Sequence, residues 1–507
     1  MSDDVEVRVD GGRLAGVAAS DRRSGAPLQV FLGIPYAAPP VGDLRWRPPQ
    51  PVAPWAGTRR ADRFGDSPAQ RPEPFDAAPV RGGFSEDCLT LNVWAPVAPA
   101  STPRPVMVWI HGGGFVSGGS SPARYDGGAL AARGVVVVSI NYRLGRLGFF
   151  AHPALRRGQG DEGVGNFGLM DQLAALRWVQ RNVAAFGGDP GCVTVFGESA
   201  GAASVAWLLA CPQAQGLFQR AAMQSAPARE SDALGRRTFS LDDASAMGAD
   251  WARGLGVPDG DDAATLAALR ALPVDALTAG LSLLGNAPDF TGPVVGGLWA
   301  RSAERAASAG AMLRVPVLVG ANSDEMGFFA SPMLASRQPA ADVVLNGFGE
   351  SAPAVAAAYR DALLQGGARF IATLRGDQVF VEPTRFLARA LAPHQPTYAY
   401  RFGYAGPGAA PGQGALHASE IPYVFDTVHT VPEAGADEQA VADCLADAWV
   451  AFARTGAPAG WPRWRPGEET LAWIDARGAT ACADPAAERL DAITASLGRT
   501  PDSSFSG

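Results

Sequence analysis

The chain is 507 residues long, with a formal net charge of −8, 47% hydrophobic residues and 18% charged ones. Length alone allows about three domains, and the composition is that of a folded globular protein able to bury a large core. The net negative charge and the lack of a basic stripe argue against a nucleic-acid-binding role; there is no lysine anywhere, the strong bases all being arginine.

The start, Met1-Ser2-Asp3-Asp4-Val5-Glu6, has neither the basic nor the apolar region of a secretory leader. Apolar runs never approach the roughly 18 residues of a membrane span, so none is expected. The five cysteines (Cys88, Cys192, Cys211, Cys444, Cys482) are odd in number, scattered and without metal-type spacing. A reduced, cytoplasmic protein that holds no metal is expected.

Up to about Arg60 the chain is rich in Gly, Pro and aromatic residues, as in Gly33-Ile34-Pro35-Tyr36-Ala37 and Leu44-Arg45-Trp46-Arg47-Pro48. Prolines at this density forbid long helices and predict short strands and turns. Leu89–Trp94 alternates as a half-buried strand. Pro105–Ile110 and Gly134–Asn141 are continuous apolar runs, the mark of strands buried on both faces. The first ends at His111-Gly112-Gly113-Gly114-Phe115. Met170–Phe186 has helical periodicity and stops at Gly187-Gly188-Asp189-Pro190.

Val193–Glu198 is a β-branched run that reaches Gly197-Glu198-Ser199-Ala200-Gly201 and passes at once into an alanine-rich helical pattern. Strand, sharp turn and helix follow one another, with Ser199 at the apex. From about Glu230 to Asp289 the chain reads as several helices without a strand. The sheet pattern resumes at Val315–Ala321 and Thr397–Phe402, and a further helix spans about Glu438 to Arg454. Strands alternating with helices imply an α/β fold with a large, mostly parallel central sheet covered by helices on both faces. No internal repeat or low-complexity linker divides the chain. Residues 1–507 are expected to form one domain, with a helical excursion at about 230–289 and a disordered tail after about 500.

A serine hydroxyl is a poor nucleophile until a base takes its proton and a third group orients that base. Of the five histidines, His111 belongs to the glycine cluster, and His152, His394 and His429 sit in unremarkable loops. His417 follows the later strand in a glycine-rich loop and is the candidate base. The acid is sought at the end of the Val315–Val319 strand, in Asn322-Ser323-Asp324-Glu325-Met326-Gly327. Adjacent side chains point in different directions, so only one of Asp324 and Glu325 can reach the imidazole, and the pattern does not say which. Acyl transfer also needs fixed N–H donors for an oxyanion, each worth about 3–4 kcal/mol, and a triple glycine permits such close approach. A phosphate cradle would need a Walker lysine, which a lysine-free chain lacks.

These segments resemble the type-B carboxylesterases, relatives of the cholinesterases on the α/β-hydrolase fold. The resemblance runs from about Gly11 to Trp464. It includes Ser85-Glu86-Asp87-Cys88-Leu89 and Asn141-Tyr142-Arg143-Leu144-Gly145 beside those above. It implies Ser199 as nucleophile, His417 as general base and Glu325 as the acid. The backbone N–H groups of Gly113, Gly114 and Ala200 are the implied oxyanion donors. It implies structural ion pairs Arg45–Glu86 and Arg143–Asp171, and a small-molecule ester as substrate, with no metal or organic cofactor. A monomer or small homo-oligomer is expected. A carbamate or amide hydrolase with the same triad is the alternative, and a non-catalytic binding protein on this fold is a further one. Relatives often pair a cysteine at the Cys88 position with one near position 68, where this chain has Ser67-Pro68-Ala69, so that disulfide is expected to be missing. The loop Gln70–Phe84 lacks the tryptophan on which cholinesterases hold a quaternary ammonium, which argues against choline esters.

Overall fold

The computed structural model describes residues 4–73, 78–97, 102–159, 163–231, 233–283, 285 and 287–497. The tail beyond about residue 500 lies outside the described residues, as do residues 74–77 of the Gln70–Phe84 loop.

Among the described residues one sheet has 13 strands. Its middle is parallel: Val136–Ile140, Arg104–Ile110, Gly188–Glu198, Arg220–Gln224, Val317–Asn322, Thr397–Phe402 and Thr470–Asp475 lie side by side in that order. Antiparallel strands extend both edges. Thr90–Pro96, Pro27–Pro35, Gly12–Ser20 and Asp4–Val9 follow beyond Val136–Ile140, and Gly478–Ala483 closes the other side.

Side chains alternate across the parallel strands and feed two cores. Val106, Val108 and Ile110 enter one core with Val193, Val195, Val317 and Val319. Met107 and Trp109 enter the other with Phe196, Leu318, Tyr400 and Phe402. A strand with apolar residues on both faces needs a helix layer on each. The helices Phe167–Asn182 and Ala200–Leu209 bury residues in the first core, and Ala436–Thr455 buries its apolar residues in the second.

The excursion forms the helices Leu241–Gly254, Ala263–Arg270 and Val274–Thr278. Ser240 and Asp262 cap the first two, accepting from the N–H groups of Asp243 and Thr265. Two differences from the sequence reading are instructive. The helix ahead of the Ser199 strand starts at Phe167, and Gly187 ends its last turn in the left-handed region (φ 78°) as expected. Pro190, however, lies inside the next strand, which begins at Gly188. The register with Arg104–Ile110 shifts between Gly188 and Val193, so a residue without an N–H interrupts no regular ladder there. The edge hairpin Thr470–Asp475/Gly478–Ala483 was not expected. Among the described residues no helix is long and apolar enough to cross a membrane.

Candidate active site

Five adjacent parallel strands end together. Ile110 pairs with Gly197, Glu198 with Gln224, Gln224 with Gly320 and Asn322 with Phe402, so their carboxyl ends form one rim. Ligands in open α/β sheets bind outside such a rim. The glycine cluster, Ser199, Asp324, Glu325 and His417 all lie on loops that leave it.

Ser199 stands between strand and helix with φ 54° and ψ −121°, a conformation costly for a residue with a Cβ. The flanking glycines make the turn possible. A Cβ on Gly201 would lie 2.1 Å from the Ile110 oxygen, and one on Gly197 2.6 Å from the Gly201 carbonyl carbon. The upstream glycines press against the same turn, since a Cβ on Gly112 would stand 3.1 Å from that of Ser199. Gly113 and Gly114 have φ of 108° and 60°, and the loop is closed by the N–H groups of Val116 and Ser117 donating to the Gly113 oxygen. Among the described residues no protein acceptor pairs with the N–H groups of Gly113, Gly114 or Ala200. Gln70 pins the loop from outside by a two-way amide pairing with Gly118.

Glu325, not Asp324, faces the histidine. Its Oε2 lies 2.6 Å from His417 Nδ1. Its Oε1 accepts from the Ser225 hydroxyl and from the Asn322 N–H, each at 2.6 Å. The His417 N–H also donates to the Glu325 carbonyl oxygen at 3.0 Å. Because a carboxylate only accepts, this contact puts the proton of the neutral imidazole on Nδ1 and leaves Nε2 free to act as a base. Asp324 turns away and pairs with Arg369 at 2.7 Å.

His417 Nε2 lies 3.1 Å from Glu198 Oε1, an ion-pair distance without hydrogen-bond alignment. No hydrogen bond joins Nε2 to the Ser199 hydroxyl in this structure. Glu198 is the residue immediately before Ser199, so the contact sets the imidazole against the elbow. Burial pushes the Glu198 carboxyl up. Burial also pulls His417 down, but the charges of Glu198 and Glu325 outweigh it and the imidazole ends above its ordinary value.

Several members of this cluster were not singled out in the sequence. Glu420, fully buried, accepts from Gln224 Nε2 at 2.8 Å and Asn322 Nδ2 at 2.6 Å. Burial, followed by the Glu325 charge, raises its carboxyl. Ser225 shares the positive φ of Ser199 (53°) and holds the far oxygen of Glu325. Their one signal is position: Ser225 follows its strand end as Ser199 does, and Glu420 stands three residues after His417.

The two scaffold pairs form. Arg143 Nη2 and Nε meet Asp171 at 2.7 and 2.8 Å, and Arg45 meets Glu86 at 2.5 and 2.8 Å. His111 is buried, stacks on Tyr142 at 4.5 Å and is pulled down to about 4 by burial, so it stays neutral at pH 7. Cys88 is a buried free thiol that burial pushes up, away from reactivity.

The carboxylesterase family model matches residues 3–491. The chain is 38% identical to a fumonisin B1 esterase of Sphingopyxis macrogoltabida, over 87% of this chain and 82% of the relative. It is 36% identical to a phenmedipham hydrolase of Pseudarthrobacter oxydans, over 90% and 93%. Identity to a para-nitrobenzyl esterase of Bacillus subtilis (strain 168) is 34%, over 87% and 90%. With a family match over nearly its whole length and a mostly parallel sheet covered by helices, this chain belongs to the carboxylesterase family and is a carboxylic ester hydrolase of the α/β-hydrolase fold.

Proposed function

We propose that the protein hydrolyses small-molecule carboxylic esters through an acyl-enzyme on Ser199, with His417 as general base and Glu325 as the acid that orients it. The observation that carries this reading is the 2.6 Å contact of Glu325 with His417 Nδ1, with Nε2 lying 3.1 Å from Oε1 of Glu198, the residue before Ser199. Nε2 takes the Ser199 proton as Oγ attacks the ester carbonyl, and the tetrahedral oxyanion is held by the N–H groups of Gly113, Gly114 and Ala200. The imidazolium then passes its proton to the leaving alcohol. Water, deprotonated by the same nitrogen, releases the acid and restores Ser199. Glu325 stabilises the imidazolium in both halves, and Ser225 and Asn322 keep its carboxylate in place. The named substrates of the relatives support a small organic ester as the class acted on.

Ser199→Ala is the direct test. Removing the nucleophile lowers kcat on p-nitrophenyl acetate by about 10⁶-fold, because triad members act as a unit. A diethyl phosphoryl ester labels the natural protein at Ser199 and leaves the variant unlabelled. Full activity in a folded Ser199→Ala protein would refute the reading.

A further inference from the structure

We propose that Phe380 is a positioning residue of the esterase site, held by a π-helical turn flat against the imidazole of His417 so that the ring keeps the orientation that catalysis needs. The inference rests on the triad reading above and adds a part of the chain to it.

The two rings stack with centroids 4.2 Å apart and planes 27° from parallel. Phe380 is buried and forms a small apolar cluster with Met326 and Val379, against which Phe328 and Phe329 pack. A hydrogen bond at Nδ1 fixes one edge of the imidazole but holds neither of its faces. A ring lying on one face supplies that hold, and offset stacking between aromatic rings is itself attractive.

The backbone that carries Phe380 is unusual. The helices Gly367–Gly376 and Glu382–Leu391 are joined by a single π-helical turn, Asp377–Val381. Such turns are rare, carry one residue more than an α-turn and gather at functional sites. This one is pinned at both ends by buried carboxylates. Asp377 accepts from the Tyr359 hydroxyl at 2.8 Å and from Arg489 Nε at 2.7 Å. Glu382 pairs with Arg229 and accepts from the Thr494 hydroxyl. Arg489 and Thr494 both belong to the helix Ala487–Leu497, so this helix braces a turn more than 100 residues earlier. Just before the turn, Gly376 runs so close to the triad that a Cβ there would lie 3.3 Å from that of Glu325 and 3.2 Å from the Met326 nitrogen. One helical rod thus abuts the acid with its backbone and the base with an aromatic face.

The test compares Phe380→Leu, which keeps apolar bulk but removes the ring, with Phe380→Tyr, which keeps the ring. With p-nitrophenyl acetate, Phe380→Leu lowers kcat about tenfold or more at nearly constant KM, since small misplacements of a catalytic group are costly. The rate of Ser199 phosphorylation by a diethyl phosphoryl ester falls by the same factor, and Phe380→Tyr recovers most of both. Asp377→Asn, which loosens the turn without touching the rings, gives a smaller loss of the same kind and serves where Phe380→Leu does not fold. A KM that rises with acyl length at constant kcat would make Phe380 a pocket wall only and overturn the proposal. So would wild-type kcat in a folded Phe380→Leu or Asp377→Asn protein. Activity surviving in Ser199→Ala would instead refute the triad, whatever Phe380 does.

Discussion

Two of the buried ionic clusters among the described residues are built on opposite rules. Around Arg143 the charges balance. Asp171 receives the Nε–Nη2 edge of the guanidinium and, on Oδ2, the Arg143 N–H at 3.0 Å, while Arg143 Nη1 donates to the Arg47 oxygen. Every strong donor has its acceptor, and the pair ties the loop after Val136–Ile140 to the helix Phe167–Asn182. Around His417 they do not balance. Glu198, Glu325 and Glu420 are all buried, and one imidazole is the cation among them. Buried ion pairs contribute little net stability, because desolvation consumes most of the attraction. The balanced pair therefore fixes geometry. The unbalanced cluster gathers three buried carboxyls near one imidazole, which ends above its ordinary value while burial pushes the Glu198 and Glu420 carboxyls up.

The largest effect separates two neighbours within the unbalanced cluster. Glu325→Gln keeps the side-chain volume but withdraws the charge that stabilises the imidazolium and the acceptor that fixes its tautomer. The expected loss in kcat is about 10⁴-fold. Asp324→Asn, one residue away, leaves kcat within about twofold, because its partner is Arg369 and the change is an ordinary local one. Steady-state kinetics on one p-nitrophenyl ester measures both. Equal losses in the two variants would mean that the acid has been wrongly assigned.

The next test attacks the balanced pair. Asp171→Ala leaves the Arg143 guanidinium buried, with a side chain only 3% exposed and its main partner gone. Breaking a buried pair in this way costs about 3–5 kcal/mol, read as a fall in the urea midpoint at unchanged slope. Activity per folded molecule is retained, since the pair touches neither Ser199 nor His417. A variant as stable as the natural protein would show that the balance does not matter.

The same contrast explains what the sequence could tell. The Ser199 elbow and its glycines were legible because backbone clearance dictates them: at Gly201 and Gly112 any Cβ meets the neighbouring strand end or the elbow itself. The parallel strands were legible as continuous apolar runs, since their alternate residues feed two cores. The choice between Asp324 and Glu325 was not legible from pattern, because it depends on Arg369 drawing the first away and Ser225 receiving the second. Glu198, Glu420 and Phe380 were equally hidden. Each meets its neighbour across segments far apart in the chain, and although Glu198 stands inside the pattern around Ser199, that pattern does not announce its contact with His417. The hairpin after Thr470 is mostly exposed on its last strand and offered only a weak periodicity.

The smallest effect is a shift along the pH axis, and it probes the unbalanced cluster directly. In the proposed mechanism His417 acts as a neutral imidazole, so the acid limb of kcat/KM is expected to report its titration in the free enzyme. The Glu198 and Glu325 charges hold the proton on the ring and raise that limb above the ordinary histidine value. Glu198→Gln removes one of those charges while Glu325 keeps the ring oriented, so the limb moves to lower pH and kcat/KM changes least on the alkaline side. Stability carries the same sign. A histidine raised in the folded state stabilises the fold fully below its unfolded value of about 6.5 and loses that contribution as pH rises through the folded one. The natural protein therefore loses melting temperature as pH climbs past neutrality, and Glu198→Gln loses less over the same window. An acid limb that stays in place would mean that Glu198 remains protonated beside the imidazole, so that Glu325 alone sets its basicity.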